Sequence, residues 1–292
     1  MEFHLKLGIV LSLLVGIIDS THSSSYSSEL GSHRYITEAY FHKHNTIIDQ
    51  VFQDFITNNL PHDSCEMLQT KHNFIPKLSL LGRNLIGEGS HRRLTSSIKI
   101  KIHQEISSNL PSLSCKAIVI ERLPSGVFAD PFELQHLTQR GVFTDASAFG
   151  DTDLESPTIR ANRSIIEIHM DLNPKNNNWE LKIQLPLHAR YAPLGEYGYT
   201  RIEFGSPDLF LQCTIEGDPH NKSCLISTND NDVSLTSSNV ASILWEVPSG
   251  IMEHTKIVSM ITFISAFVSA FSIFIACVYY PNTESYINFK QS

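Results

Sequence analysis

Residues 179–191 read WELKIQLPLHARY, and the spacing within them decides the kind of fold this chain adopts. Trp179, Leu181, Ile183, Leu185 and Leu187 occupy every second position, with Glu180, Lys182 and Gln184 between them. A repeat of two belongs to an extended strand with one buried and one wet face. A helix would need its apolar positions three and four residues apart, so this stretch reads as a strand.

The same rhythm continues in both directions. TSSIKIKIHQEI (95–106) alternates through Ile98, Ile100 and Ile102, and SIIEIHMDL (164–172) through Ile166, Ile168, Met170 and Leu172. CKAIVIERL (115–123) is apolar almost throughout and reads as a buried strand; YTRIEF (199–204) and DLFLQCTI (208–215) follow. Asn173–Asn178, NPKNNN, supplies turn chemistry between two of the strands. Short alternating strands separated by polar turns predict a mostly β protein, an antiparallel β-sandwich-like domain over 72–225. Ahead of it, in a helical segment over 26–71, Ile47, Ile48, Val51, Phe52, Phe55 and Ile56 form one stripe at helical spacing. That stripe predicts a helix within 36–57 packed on the domain, ended by Asn58-Asn59-Leu60-Pro61. Residues 226–256 begin polar and poor in aromatics and read as a juxtamembrane tether.

The two ends fix the compartment. Lys6 precedes an apolar run from Leu7 to Ile18, which as a helix covers only about 18 Å, too short for a hydrocarbon core of ~30 Å. Residues 1–25 therefore read as a secretory signal peptide. Ile257–Tyr280 contains no charged residue and covers about 36 Å as a helix, enough to span a bilayer. Tyr279 and Tyr280 stand where interfacial aromatics belong, and residues 281–292 form a short cytoplasmic tail. Together these predict a single-pass type I protein with residues 26–255 on the exoplasmic side.

Cys65, Cys115, Cys213 and Cys224 fall in that exported part, an even number suited to an oxidising space. Cys213 and Cys224 bracket a short polar loop that a bridge would close, leaving Cys65 with Cys115; four cysteines allow three pairings, and spacing does not choose among them. Asn162-Arg-Ser and Asn221-Lys-Ser are glycosylation acceptors that require surface positions.

Signals for chemistry are thin. The net charge of −8 argues against a nucleic-acid partner, which needs a basic footprint. Asp151-Thr-Asp153 has the Asp-x-Asp form used to hold a metal and a diphosphate, but three residues in an acidic chain are a weak signal. His42 and His44 point apart on a helix. The sequence has no His-Glu-x-x-His, Cys-x-x-Cys or Gly-x-Ser-x-Gly, and no cofactor is expected. Within the apolar span, Thr262, Ser265, Ser269, Ser272 and Ala276 recur at spacings of three and four. Such a small-residue face lets a second helix approach closely.

Residues 123–134, LPSGVFADPFEL, contain a turn, with Pro fixing one dihedral and Gly permitting a positive one, followed by alternating aromatic and acidic residues. Leu123, Pro124, Gly126, Val127, Phe128, Asp130, Pro131, Phe132, Glu133 and Leu134 resemble in order the signature of the PIG-X family. Asp153–Pro157, the segment Pro186-Leu-His188-Ala-Arg190-Tyr191, Pro207 ahead of Cys213, and Gly89–Leu94 resemble further family elements. The resemblance covers roughly residues 85–280. It implies a non-catalytic type I subunit of the endoplasmic reticulum membrane that stabilises a polytopic mannosyltransferase of PIG-M type. That enzyme, glycosylphosphatidylinositol (GPI) mannosyltransferase I, moves the first mannose from dolichol-phosphate-mannose to glucosaminyl-phosphatidylinositol, and its catalytic acids lie in the partner. The resemblance makes residues 123–134 together with His188, Arg190 and Tyr191 a fold corner, a partner contact, or both. A cell-surface receptor or adhesion ectodomain is the competing reading, since topology, glycans and disulfides suit it as well.

Overall fold

In the computed structural model, strand β1 (Phe74–Ile86) forms a long antiparallel hairpin with β2 (His91–Gln104). The described residues are 34–59, 74–104, 113–172, 178–215, 222–226 and 243–279. On the far side of β2 lies β7 (Asn178–Ala189), and beyond that the two-residue strand β4 (Val127–Phe128), completing a four-stranded sheet ordered β1-β2-β7-β4. A five-stranded antiparallel sheet runs β10 (Lys222–Ile226), β9 (Asp208–Ile215), β3 (Leu113–Leu123), β6 (Ser164–Leu172) and β5 (Asp145–Gly150). β8 (Tyr199–Phe204) and β11 (Ile243–Pro248) make a separate pair.

The alternating side chains of the two larger sheets meet in one core. Ile98, Leu181, Ile183, Leu185 and Leu187 from the four-stranded sheet join Ala117, Val119, Ile166, Ile168 and Leu211 from the five-stranded sheet. Trp245 and Val247 of β11 extend this core, and Trp245 is fully buried. The expected mostly β, antiparallel architecture is what the chain forms, with helices ahead of it and an apolar helix at its end.

β3 has no alternation because both its faces are covered. Its second face, with Ile118, Ile120, Ile165 of β6 and Phe210 of β9, packs under Tyr40, Ile47, Phe52, Phe55 and Ile56. These come from helix α1 (Ile36–Phe41), the link after it (Ile47), helix α2 (Asp49–Asp54) and a π-helical turn, Phe55–Asn59. Each large apolar side chain buried this way contributes on the order of 2 kcal/mol. The single helix expected over 36–57 is therefore two short ones. Tyr40 causes the break: its buried ring stacks on His44, and its hydroxyl bonds the Thr46 carbonyl at 3.1 Å, folding the chain back between the helices. Ile48 caps α2 and is exposed, so it leaves the stripe.

Two carboxylates, one buried and one exposed, tie this layer down. Glu167, with no exposed surface, accepts the backbone N–H groups of Ile36 at 3.0 Å and Thr37 at 2.7 Å, and His169 Nε2 lies 2.8 Å from it. It thus satisfies donors that the first turn of α1 leaves unpaired. Arg163 donates to Asp49 of α2 at 2.6 Å and to the Leu123 carbonyl at 3.2 Å.

Two further expectations are corrected. Cys213 of β9 stands directly opposite Cys115 of β3 and is bonded to it. On its other side Cys213 faces Lys222, while Cys224 registers with Leu211, so the 213–224 loop closure does not form. Cys65 and Asn221 lie outside the described residues. Residues 243–248, assigned to a tether, are β11, whose Ile243, Trp245 and Val247 point inward. The strands on either side of the NPKNNN segment, β6 and β7, belong to different sheets.

After β11 a short 3-10 turn, Met252–His254, leads into the C-terminal helix α4 (Thr255–Tyr279). The helical stretch Met252–Tyr279 is long and apolar enough to cross a membrane, and its side chains are exposed. Helix α3 (Pro131–Gln139) lies between β4 and β5.

Candidate functional site

Residues 123–134 form a corner. β3 ends at the buried Leu123, and Val127 N–H closes the turn onto the Pro124 carbonyl at 3.0 Å. Gly126 is not among the residues with positive φ. It is needed for a different reason: a Cβ there would sit 2.7 Å from Ile202 Cδ1. Val127 and Phe128 then pair with Ala189 and His188 of β7. Asp130 is extended, accepts Phe132 N–H at 2.8 Å and caps α3, with Pro131 at the first helical position. Glu133 on the first turn of α3 reaches back to His188 Nε2 at 2.9 Å.

The other segments singled out in the sequence converge on the same end of β7. His188 has the Phe128 ring stacked on it at 5.2 Å and His91 edge-on at 4.5 Å. It occupies an interior strand, not a sheet edge. From residues 89–94, Ser90 accepts the Ala189 N–H at 2.8 Å, Gly89 accepts the Trp245 indole N–H at 3.3 Å, and Arg92 lies 5.6 Å from that indole. Arg190 donates its backbone N–H to Gly126 at 2.8 Å.

The Arg190 side chain is fully buried, and its guanidinium lies 4.9 Å from the Phe128 ring centre. Its donors go to the carbonyls of Asp153, Ser156 (3.1 Å) and Asp151 (3.2 Å), with the Asp151 carboxylate 3.6 Å away. Burial lowers its pKa, and Asp151 and Asp153 oppose that shift.

This explains the Asp-x-Asp. Asp151 Oδ1 accepts the Asp153 N–H at 3.1 Å and its Oδ2 the Asn162 N–H at 2.7 Å; Asp153 accepts the Glu155 N–H at 3.0 Å. The two carboxylates shape a loop whose carbonyls hold Arg190. Among the described residues no group of three His, Cys, Asp or Glu side chains is arranged to hold a metal.

Around this corner Phe132, Ile159 and Tyr191 are exposed, as is Asn162 of the first glycosylation triplet. In α4 the hydroxyls of Thr262, Ser269 and Ser272 donate to carbonyls four residues back and that of Ser265 to the Thr262 carbonyl three back, at 2.8–3.0 Å. They lie with Ala276 along one side of the helix. Sequence reasoning missed Ile202, Arg163, Glu167 and the Asp49–Arg122–Asp208 cluster, because each acts through a partner far away in sequence.

The fold and the corner define a strand-rich domain, its polar groups braced internally, joined to one apolar helix long enough to cross a membrane. The PIG-X / PBN1 family model matches residues 87–278, and the chain belongs to that family. It is similar to the protein named GPI alpha-1,4-mannosyltransferase I, stabilizing subunit, of Homo sapiens, 24% identical over 214 residues, 69% of this chain and 80% of that protein. The Rattus norvegicus protein of the same name is 26% identical over 196 residues, 63% and 75% of the two chains. Protein PBN1 of Debaryomyces hansenii is 31% identical over 120 residues, 41% of this chain and 24% of that protein.

Proposed function

We propose that this chain is the non-catalytic stabilising subunit of a GPI mannosyltransferase I complex. The observation that carries the reading is its similarity, over most of both chains, to relatives named as that subunit. In that role it sits in the endoplasmic reticulum membrane with the strand domain lumenal. Its partner is the polytopic catalytic subunit of PIG-M type, which adds the first mannose from dolichol-phosphate-mannose to glucosaminyl-phosphatidylinositol.

The corner suits a contact role. Its carboxylates, imidazole and guanidinium are engaged with one another and with backbone, while Phe132, Ile159 and Tyr191 face outward. Arg190, His188 and Glu133 hold the corner's shape; the exposed side chains meet the partner. Thr262, Ser265, Ser269, Ser272 and Ala276 give α4 a smooth face for a partner helix.

The test is deletion of the gene, followed by measurement of GPI-anchored surface proteins and of the unmannosylated intermediate. Loss of the former, accumulation of the latter and a fall in partner abundance are expected. Normal anchored proteins in the deleted cells would overturn the reading. Glycans on Asn162 that stay endoglycosidase-H sensitive are expected too, whereas matured chains would favour a cell-surface ectodomain.

A further inference from the structure

The loop between β7 and β8, YAPLGEYGY (191–199), is pinned to the chain just before the apolar helix. Gly195 N–H donates to the Gly250 carbonyl at 2.9 Å, Met252 N–H donates to the Gly195 carbonyl at 3.2 Å, and Gly195 forms a parallel bridge with Ile251. Ser249 N–H donates to the Gly198 carbonyl at 2.7 Å. Gly198, at φ +76, provides the tight turn that permits this, and Leu194 packs so closely that a Cβ on Gly250 would meet its Cδ2 at 2.5 Å. The loop is therefore fixed against residues 249–252, three residues short of α4, which is about 5 Å of helix.

What the loop presents there is apolar and aromatic. Tyr197 is 85% exposed, Tyr199 60%, Leu194 44% and Met252 61%. Glu196 is its one ionisable group besides the tyrosines; Glu253, His254 and Lys256 follow at the helix start. Tyrosine has an apolar ring and a polar tip, the combination favoured at the boundary between headgroups and acyl chains. We infer that Leu194, Tyr197, Tyr199 and Met252 form a membrane-interface foot that seats the strand domain on the lipid surface α4 enters. Lipid is the occupant because the patch is continuous with the start of the membrane helix and hydrogen-bonded to it. The foot fixes the domain's height and tilt, and so sets where the corner at His188 stands above the bilayer.

The inference rests on α4 spanning the membrane but not on the accessory-subunit reading. The test uses the full chain in two sets of phosphatidylcholine nanodiscs, one with acyl chains brominated near the headgroups to reach the tyrosine positions and one brominated near the chain ends to reach Phe267, about mid-core. Four single variants are compared by added tryptophan emission over the native chain: Tyr197→Trp, Tyr199→Trp, Phe267→Trp within α4, and Lys182→Trp, seven residues up β7 from Ala189 or about 23 Å along the strand. The foot requires Tyr197→Trp and Tyr199→Trp each to lose roughly half of the added emission, as an interfacial side chain does, while Lys182→Trp is unchanged. Quenching at Phe267→Trp with both tyrosine positions as bright as Lys182→Trp overturns the foot and leaves the loop to a protein partner. No quenching at Phe267→Trp overturns membrane insertion, and the foot with it.

Discussion

The guanidinium of Arg190 lies 4.9 Å from the centre of the Phe128 ring, and three carbonyls of the 151–156 loop take up its donors. One side chain thereby locks residues 123–134 to the acidic loop across the end of β7. A lysine keeps the charge but offers a single point in place of a planar fork. Arg190→Lys is expected to cost about 1–3 kcal/mol and Arg190→Met about 3–5 kcal/mol, since buried carbonyls lose their donors. Chemical denaturation of the full chain in detergent measures this. Native stability for Arg190→Lys would show that the fork is not what holds the corner.

Gly126 and Ile202 form a pair that a double-mutant cycle resolves. A Cβ at residue 126 meets only the tip of Ile202, at 2.7 Å for Cδ1 and 3.3 Å for Cγ1. The backbone there is not left-handed, so crowding is the sole cost. Gly126→Ala should destabilise by about 1 kcal/mol, and Ile202→Val in the same chain should recover at least half of it. Simple additivity of the two changes would place the strain elsewhere.

The Cys115–Cys213 bond closes a loop of 98 residues between strands already in register. Chain-entropy reasoning gives such a crosslink about 4.7 kcal/mol as an upper figure, so Cys115→Ala or Cys213→Ala should each lower stability by roughly 2–5 kcal/mol. Non-reducing peptide mapping should recover a 115–213 linked peptide, and Cys224→Ser should leave it intact. A linked 213–224 peptide would contradict the register of β9.

The strands were legible because period two survives wherever one face is core: β2, β6 and β7 stand where their isoleucines and leucines put them. β3, apolar throughout, was readable as buried, but nothing local says that helices cover its second face. The helix break at Tyr40 carries no Gly or Pro; it follows from a tertiary bond to Thr46. β11 was hidden by the polar residues before it, although Trp245 and Val247 alternate. At the corner, the motif residues were visible individually, and their meeting at His188 was not, because four segments separated by up to a hundred residues build it.

Asp208 is the group expected to add most to the pH dependence of stability. It is buried on β9 beside Arg122, with Asp49 of α2 facing the same guanidinium, and burial raises its pKa to about 6 against an ordinary 3.8, with Arg122 opposing and Asp49 adding. The folded state then holds a proton that the unfolded state has lost between about pH 4 and 6. Stability from this group is complete below pH 3.8 and falls as pH rises through 6, by about 2–3 kcal/mol. Glu121, raised by burial against Arg83, acts in the same direction; Asp49, whose partial desolvation is outweighed by Arg163 and Arg122, is lowered and acts in the opposite one. Asp208→Asn should flatten the decline between pH 4 and 6.5 and be the more stable protein relative to the native chain at pH 7 than at pH 4. An unchanged slope in urea titrations would remove Asp208 as its source.

The face of α4 separates close packing from hydrogen bonding. Thr262, Ser265, Ser269 and Ser272 already donate to carbonyls of their own helix, so their hydroxyl protons are committed before any partner arrives. What the face offers a second helix is smallness. Ser265→Ala with Ser269→Ala should leave co-purification with the proposed catalytic partner within about twofold, whereas Ser265→Phe with Ser269→Phe should reduce it tenfold or more, a loss of about 1.4 kcal/mol or greater. Folding of the strand domain is read separately through the Cys115–Cys213 linked peptide, which both variants should retain. Equal recovery of the alanine and phenylalanine variants would make α4 an anchor alone and shift the whole of the contact to the corner around Phe132, Ile159 and Tyr191.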